Sequence, residues 1–109
     1  MATYHIDRRM AEIKQFRMSP PAALKMIRQL ATDSDRIVVV PHAKKRQIER
    51  SITRRQIEVC VRSGYIDEGP SLNEHGNWQV TMRCYSAGEE LACVVAIDWP
   101  NRLIVITTF

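Results

Sequence analysis

His42, Arg46 and Arg50 are residues whose types and spacing could do chemistry. They fall in the segment HAKKRQIER, where each follows the previous one by four residues, so a helix places them along one side. An imidazole can transfer a proton near neutral pH, and guanidinium groups bind phosphate and stabilise the charge that develops on it. The set suits cleavage of an RNA phosphodiester, because the ribose 2′-hydroxyl can attack the phosphorus without a metal ion.

Polar residues of a second basic helix and of two predicted strands extend this candidate site. Arg54 continues the positive charge onto the next helix, where it would contact the nucleic-acid backbone without reading its sequence. Arg83 and Tyr85 share the polar side of an alternating strand, and Thr107 projects from the last strand. A basic helix lying over that surface would complete a phosphate-binding cleft with a hydroxyl donor. We therefore expect catalytic roles for His42, Arg46 and Thr107, and substrate-binding roles for Arg50, Arg54, Arg83 and Tyr85.

The same residues also fit an interpretation without function. Charged side chains on a short helix of a basic protein ordinarily face water, and Glu49 is placed to pair with Arg46 or Lys45. An antiparallel sheet normally has one polar face, which would account for the polar side chains of the strand. The sequence leaves both interpretations open, and the position of the helix relative to the sheet decides between them.

The length and composition indicate one globular domain with an anionic partner. The 109 residues suit a single hydrophobic core, and the balance of 45% hydrophobic to 26% charged residues is ordinary for a folded protein. The net charge of +4 and the pI near 9.3 favour an anion such as nucleic acid, because Lys and Arg are concentrated between Lys44 and Arg62. We expect an N-terminal helical arm over residues 1–20 and a single α+β domain over residues 21–109.

Cysteine and hydropathy patterns argue against a metal centre and a membrane protein. Cys60, Cys84 and Cys93 have no CxxC spacing and stand in apolar strings, so buried, reduced thiols are expected. His75 is the only histidine in the second half of the chain, which leaves too few ligands for a metal, and no cofactor is expected. The apolar runs are far shorter than the roughly 20 residues of a membrane span, and the N-terminus lacks the apolar region of a signal peptide. These features predict a cytoplasmic protein that does not contact a membrane.

The elements that must position these residues are helices first and strands last. Helical spacing predicts a helix over residues 6–16 and a second one after Ser19, whose side chain and two following prolines suit a helix start. A β-branched strand, Ile37–Val40, then leads directly into the basic helix. Thr53 and Gln56 form a capping box that starts another helix.

After Gly64, which is placed to end that helix, the pattern changes to the alternation of strands. Three strands follow, joined by short turns, over residues 78–85, 91–97 and 103–109. The last two are apolar on both sides, as central strands are. Helices followed by strands indicate an α+β fold, in which the N-terminal helices and the helix pair pack on a small, mainly antiparallel sheet that ends in a meander.

The assembled pattern resembles a bacterial and archaeal family known as domain of unknown function 4258. The matching stretches are HAKKRQIERSIT, RSGYIDEGP, GEELACVV and IVITTF, which place the resemblance over about residues 24–109. Relatives usually have Gly at the position of Ser51, and often an aromatic hydroxyl at the position of Phe109. The family is in turn similar to the metal-independent ribonuclease superfamily of RelE-type and MqsR-type toxins, in which helices pack on a small antiparallel sheet.

The resemblance implies a toxin-like endoribonuclease with His42, Arg46, Arg50 and Thr107 as the residues to test. RNA is then the substrate, and an antitoxin-like protein is a candidate partner. Two alternatives stay open: a non-catalytic module that binds nucleic acid through the basic helix pair, and a protein-interaction domain of a toxin–antitoxin-like pair. Cleavage of RNA without divalent metal would separate the first hypothesis from the second, and a co-purifying partner would favour the third.

Overall fold

The computed structural model describes residues 17–86 and 88–109, and within them the chain forms three α-helices, a 3-10 helix and five strands. The helices are α1 (Pro20–Ala31), α2 (Pro41–Glu49) and α3 (Arg54–Ser63), with the 3-10 helix at Ser34–Arg36. The strands are β1 (Ile37–Val39), β2 (Tyr65–Leu72), β3 (Trp78–Ser86), β4 (Glu89–Asp98) and β5 (Arg102–Thr108). The predicted α+β fold is confirmed, whereas the helix predicted over residues 6–16 lies outside the described residues.

The helix starts follow the capping signals in the sequence. The Ser19 side chain accepts a hydrogen bond from the Ala22 N–H at 3.2 Å, and two prolines occupy the first turn of α1. Both halves of the predicted capping box between Thr53 and Gln56 are present at the start of α3. At the start of α2, Val40 provides no side-chain cap and Pro41 takes the first helical position. None of the described helices is long and apolar enough to cross a membrane.

The five strands form one mixed sheet in the order β1-β5-β4-β3-β2. The predicted meander corresponds to β3, β4 and β5, which pair antiparallel, and β1 pairs parallel to β5 through Ile37–Val39 and Leu103–Val105. Strand β2 was not predicted, because its sequence YIDEGPSL contains the acidic, glycine and proline residues of a loop. It lies at the sheet edge and pairs with β3 through two register shifts, which explains how such residues are accommodated.

The two faces of the sheet differ in what covers them. Helices α1 and α3 pack on one face, and alternate strand residues such as Met82, Val95 and Leu103 are fully buried beneath them. The opposite face, here called the open face, carries the other set of alternate residues, including Thr81 and Ile104, which are half-buried. One hydrophobic core therefore lies between the sheet and the two helices.

The three cysteines meet in this core. All are free and buried, as predicted, and the Cys60 Sγ lies 3.6 Å from the backbone oxygen of Met82. Burial, with the neighbouring Cys60 thiol, raises the pKa of Cys84 to about 12, and a hydrogen bond with Cys93 followed by burial raises that of Cys60. The Cys60 and Cys84 thiols are thus held in the neutral form. In the part of the chain that the structure describes, no group of three His, Cys, Asp or Glu side chains could hold a metal ion.

Candidate nucleic-acid interface

Helix α2 runs beside the second half of β5. The Val40 N–H, directly after β1, donates to the Val105 backbone oxygen at 3.3 Å, so the helix begins level with the middle of β5. At its other end, Arg50 and Phe109 line the same small cavity of about 120 Å³. Ala43 is the buried residue of the helix, and its remaining turns present their side chains to water. The basic segment is therefore a surface element anchored to the sheet through one small residue.

The exposed side of α2 carries both candidate catalytic residues of the helix. His42 is its second residue and is exposed, and Arg46 follows one turn later with 44% of its side chain exposed. The predicted pairing with Glu49 is confirmed, at 3.4 Å between Arg46 Nη1 and Glu49 Oε2. An ion pair this exposed contributes little energy, so it leaves Arg46 able to exchange Glu49 for a phosphate.

The arginines of α3 are used differently. The Arg54 guanidinium donates to the backbone oxygens of Ser34 at 2.9 Å and Ile37 at 2.7 Å. Arg62 donates to the backbone oxygen of Ala31 at 2.8 Å, and both arginines form ion pairs with Glu58. These bonds tie α3 to the end of α1 and to the start of β1. The predicted substrate-binding role of Arg54 would have to compete with two backbone hydrogen bonds.

A β-bulge determines where Thr107 points. Val105 pairs with Val95 on the core side, but the next register is Thr107 with Val94, so Ile106 is an extra residue in β5. Without this insertion Thr107 would share the buried face of Val105, because side chains alternate along a strand. The bulge turns the half-buried Thr107 to the open face and sends Thr108 into the core. There the Thr108 hydroxyl is buried without a hydrogen-bond partner among the described residues.

Arg83 occupies the centre of a cluster at the far end of the open face. Its guanidinium is 2.7 Å from Asp67 and 3.1 Å from Glu90, and its Cζ lies 6.0 Å from the centre of the Phe109 ring. The hydrogen bond with Asp67 is the main cause that raises the pKa of Arg83 further above its ordinary value. Because two carboxylates already compensate its charge, phosphate binding by Arg83 would have to displace them.

Tyr85 extends the same cluster toward solvent. It lies two residues beyond Arg83 on the open face, opposite Glu90 in the β3–β4 hairpin, and is 73% exposed. Thr107 lies on this face as well, two register positions from Phe109, which pairs with Ala92. The structure thus brings Thr107, Arg83 and Tyr85 to one surface, with Arg50 reaching its edge beside Phe109.

A groove of about 530 Å³ crosses the other half of the open face. Its apolar lining comes from Val40, Ala96, Ile104 and Ile106, and the β2–β3 hairpin supplies its polar side. In that hairpin Asn73 is the central residue, because its Oδ1 accepts from two backbone N–H groups of the turn and its Nδ2 donates to Gln79 Oε1 at 3.2 Å. No sequence pattern predicts this groove, because its residues come from distant segments of the chain.

The family model described as Domain of unknown function (DUF4258) matches residues 39–109. The chain belongs to this family. The match starts at Val39, so α1, part of which fell within the resemblance noted from sequence, lies outside the matched DUF4258 segment. No curated protein and no solved structure matches the chain.

Every candidate residue of this DUF4258 member lies within the matched segment. His42 and Arg46 belong to α2, which lies beside β5, and Arg50 is the C-cap of that helix. The bulge of β5 presents Thr107 on the open face. The groove lies in the same segment and touches the helix start at Val40. The family-defining part of the chain therefore combines a cationic helix with a sheet face that is half polar and half apolar.

Proposed function

We propose that this protein is a metal-independent endoribonuclease of the toxin-like kind that its sequence resembles. The observation that supports this proposal best is the placement of His42 and Arg46 one turn apart on the exposed side of α2, beside the strand that carries Thr107. In this proposal His42 is the proton-transfer group, Arg46 binds phosphate, and Thr107 supplies a hydroxyl from the neighbouring strand. RNA is the substrate class, because its own 2′-hydroxyl supplies the nucleophile.

The reaction would proceed by transfer within the substrate. Neutral His42 accepts the proton of the 2′-hydroxyl while that oxygen attacks phosphorus, and the resulting imidazolium returns a proton to the departing 5′-oxygen. The bond from phosphorus to the 5′-oxygen breaks, which leaves a 2′,3′-cyclic phosphate and a 5′-hydroxyl. Arg46 and Arg50 stabilise the negative charge of the transition state, and the Thr107 hydroxyl donates to a non-bridging oxygen.

Cleavage by the purified protein in the presence of EDTA tests this proposal directly. We expect RNA fragments that end in 2′,3′-cyclic phosphate. The cleavage rate of His42→Ala should be lower than that of wild type by at least about a hundredfold, as for removal of a general acid–base group. Gln47→Ala is the matched control, because it alters the same helix without removing an imidazole or a cation. Equal cleavage by His42→Ala and wild type would rule out His42 as the proton-transfer group.

A second candidate function is binding of nucleic acid without cleavage. Two observations favour it: Arg83 is already compensated by Asp67 and Glu90, and Phe109 has no hydroxyl where relatives often carry one. This function predicts affinity for RNA that falls steeply with salt, with intact RNA recovered after incubation. Cyclic-phosphate products that disappear in His42→Ala would exclude it.

A further inference from the structure

We propose that the groove on the open face holds a nucleobase of the RNA whose phosphates contact α2. The inference rests on the proposed function for its ligand, since it names the part of an RNA nucleotide that this face receives. Its evidence, however, comes from the groove alone, which neither His42 nor Arg46 lines.

The floor of the groove is apolar except at Gln79. Gln79, Ala96 and Ile104 stand side by side on three adjacent strands in one register row, and Ile106 and Val40 continue the apolar surface toward α2. The volume of about 530 Å³ falls within the range of small-ligand sites, which is roughly 300–1,000 Å³. A planar ring that lies on this floor removes apolar surface of both the ring and the floor from water, which favours binding.

The polar side of the groove is fixed in orientation. The Asn73 Oδ1 accepts hydrogen bonds from the backbone N–H groups of His75 at 2.9 Å and Asn77 at 3.0 Å, which fixes the Asn73 amide. Asn73 Nδ2 in turn donates to Gln79 Oε1 at 3.2 Å. Gln79 lines the groove, and its Nε2 has no hydrogen-bond partner among residues 17–86 and 88–109. Two half-buried amides, those of Gln79 and Asn77, therefore border an apolar floor.

This combination matches a nucleobase better than a phosphate. Bases expose an apolar π-face and carry nitrogen and oxygen acceptors on their edges, which side-chain amides recognise. A phosphate would meet an apolar floor and the carboxylate of Glu74, and the Arg102 guanidinium is already held by Asp98 at 3.1 Å. Helix α2, whose first cation is Lys44, begins directly after Val40 at the wall of the groove, and in this proposal the phosphates of a bound nucleotide point toward it.

Binding of mononucleotides to the full chain, followed by NMR of backbone amides, tests this inference. The probes are the four ribonucleoside 5′-monophosphates, with ribose 5-phosphate as the control that lacks a base. We expect at least one nucleotide to shift the amide signals of Gln79, Ala96 and Ile104, and ribose 5-phosphate to leave them unchanged. Shifts restricted to α2, equal shifts with ribose 5-phosphate, or no shifts would overturn the inference.

Two substitutions and a control extend the test. Ala96→Leu fills the floor of the groove, and Gln79→Leu removes the oriented amide. Each substitution should weaken nucleotide binding by about tenfold, which corresponds to the loss of about one net hydrogen bond. Thr81→Val is the matched control, because Thr81 lies on the same strand and face two residues from Gln79, outside the groove lining. Unchanged binding by both variants would also overturn the inference, and the wild-type experiment stands alone if a variant fails to fold.

The outcome separates this inference from the proposed function. Groove shifts in a protein that cleaves no RNA would support the base site and contradict the nuclease. RNA cleavage with no groove shifts, at equal rates in wild type and Ala96→Leu, would support the nuclease and contradict the base site.

Discussion

The two basic helices α2 and α3 are neighbours in the chain and are both rich in cationic residues. Their arginines differ in whether they bond to other elements of the fold. In α3, Arg54 and Arg62 donate hydrogen bonds to backbone oxygens of other elements, and both form ion pairs with Glu58. In α2, the ion pair of Arg46 with Glu49 stays within the helix and is exposed. The difference shows that an arginine acts as a structural link or as a free charge according to which carbonyl groups lie within its reach.

The apolar residues of the two helices divide in the same way. Ile57 of α3 is fully buried, whereas Ile48 of α2 is 81% exposed. Helix α3 therefore belongs to the core, whereas α2 lies on the surface and is anchored to the sheet through Ala43. The side chains of a surface helix such as α2 can reorient to contact a ligand at little cost in the free energy of unfolding.

The largest effect that would sharpen this comparison is on the free energy of unfolding. We expect Ile57→Ala to lower it by about 2–5 kcal/mol, because the substitution leaves a cavity in the core. Ile48→Ala should change it by less than about 0.5 kcal/mol, as for other exposed positions. Urea unfolding followed by circular dichroism measures both. Similar losses in the two variants would show that α2 is as deeply integrated as α3.

An intermediate effect separates the two kinds of arginine. We expect Arg54→Met to lower the free energy of unfolding by about 1–2 kcal/mol, because the backbone oxygens of Ser34 and Ile37 lose their donor. Arg50→Met should leave stability within about 0.5 kcal/mol of wild type. Urea unfolding gives the first comparison.

RNA binding of the same two variants should give the reverse order. The slope of log K against log salt should fall in magnitude by about 1 in Arg50→Met, because the proposed phosphate contact is removed. It should stay unchanged in Arg54→Met. Fluorescence anisotropy with a labelled RNA at several salt concentrations measures the slope. A reduced slope in Arg54→Met would restore the substrate-binding role predicted for Arg54 from sequence.

The smallest effect concerns how the helices end. Ser51 follows α2 with a φ of 55°, a left-handed conformation that glycine adopts at less cost. We expect Ser51→Gly to raise the free energy of unfolding by about 0.5–1 kcal/mol, after allowance for the greater freedom of glycine in the unfolded chain. Ser63→Gly, within the last turn of α3, should lower it by a similar amount. A loss of stability in Ser51→Gly would mean that the serine side chain contributes more than its backbone costs.

Local sequence signals predicted most helices and strands. The arrangement of the candidate site depends instead on contacts between residues that are far apart in the chain. The caps at Ser19 and Thr53 are formed within three residues of chain, so the sequence alone locates both helix starts. The hydrogen bonds of Arg54 reach back 17 and 20 residues, and no local pattern encodes which carbonyl groups will be there. The bulge at Ile106 is likewise not encoded by a local pattern, because it depends on the register of β5 against β4. Sequence therefore located the basic helix and could not foresee which arginines were free or where the groove lay.

The parallel pairing of β1 with β5 has a consequence for synthesis of the protein. Residues 37–39 have their strand partners at residues 103–105, so β1 cannot take its place until most of the chain has left the ribosome. At roughly 5–20 residues per second, several seconds separate the emergence of the basic segment from that of the strand that positions it. During that interval the nascent chain carries positive charge without the sheet face beside it. A surface that needs both the basic helix and the sheet therefore cannot form during that interval.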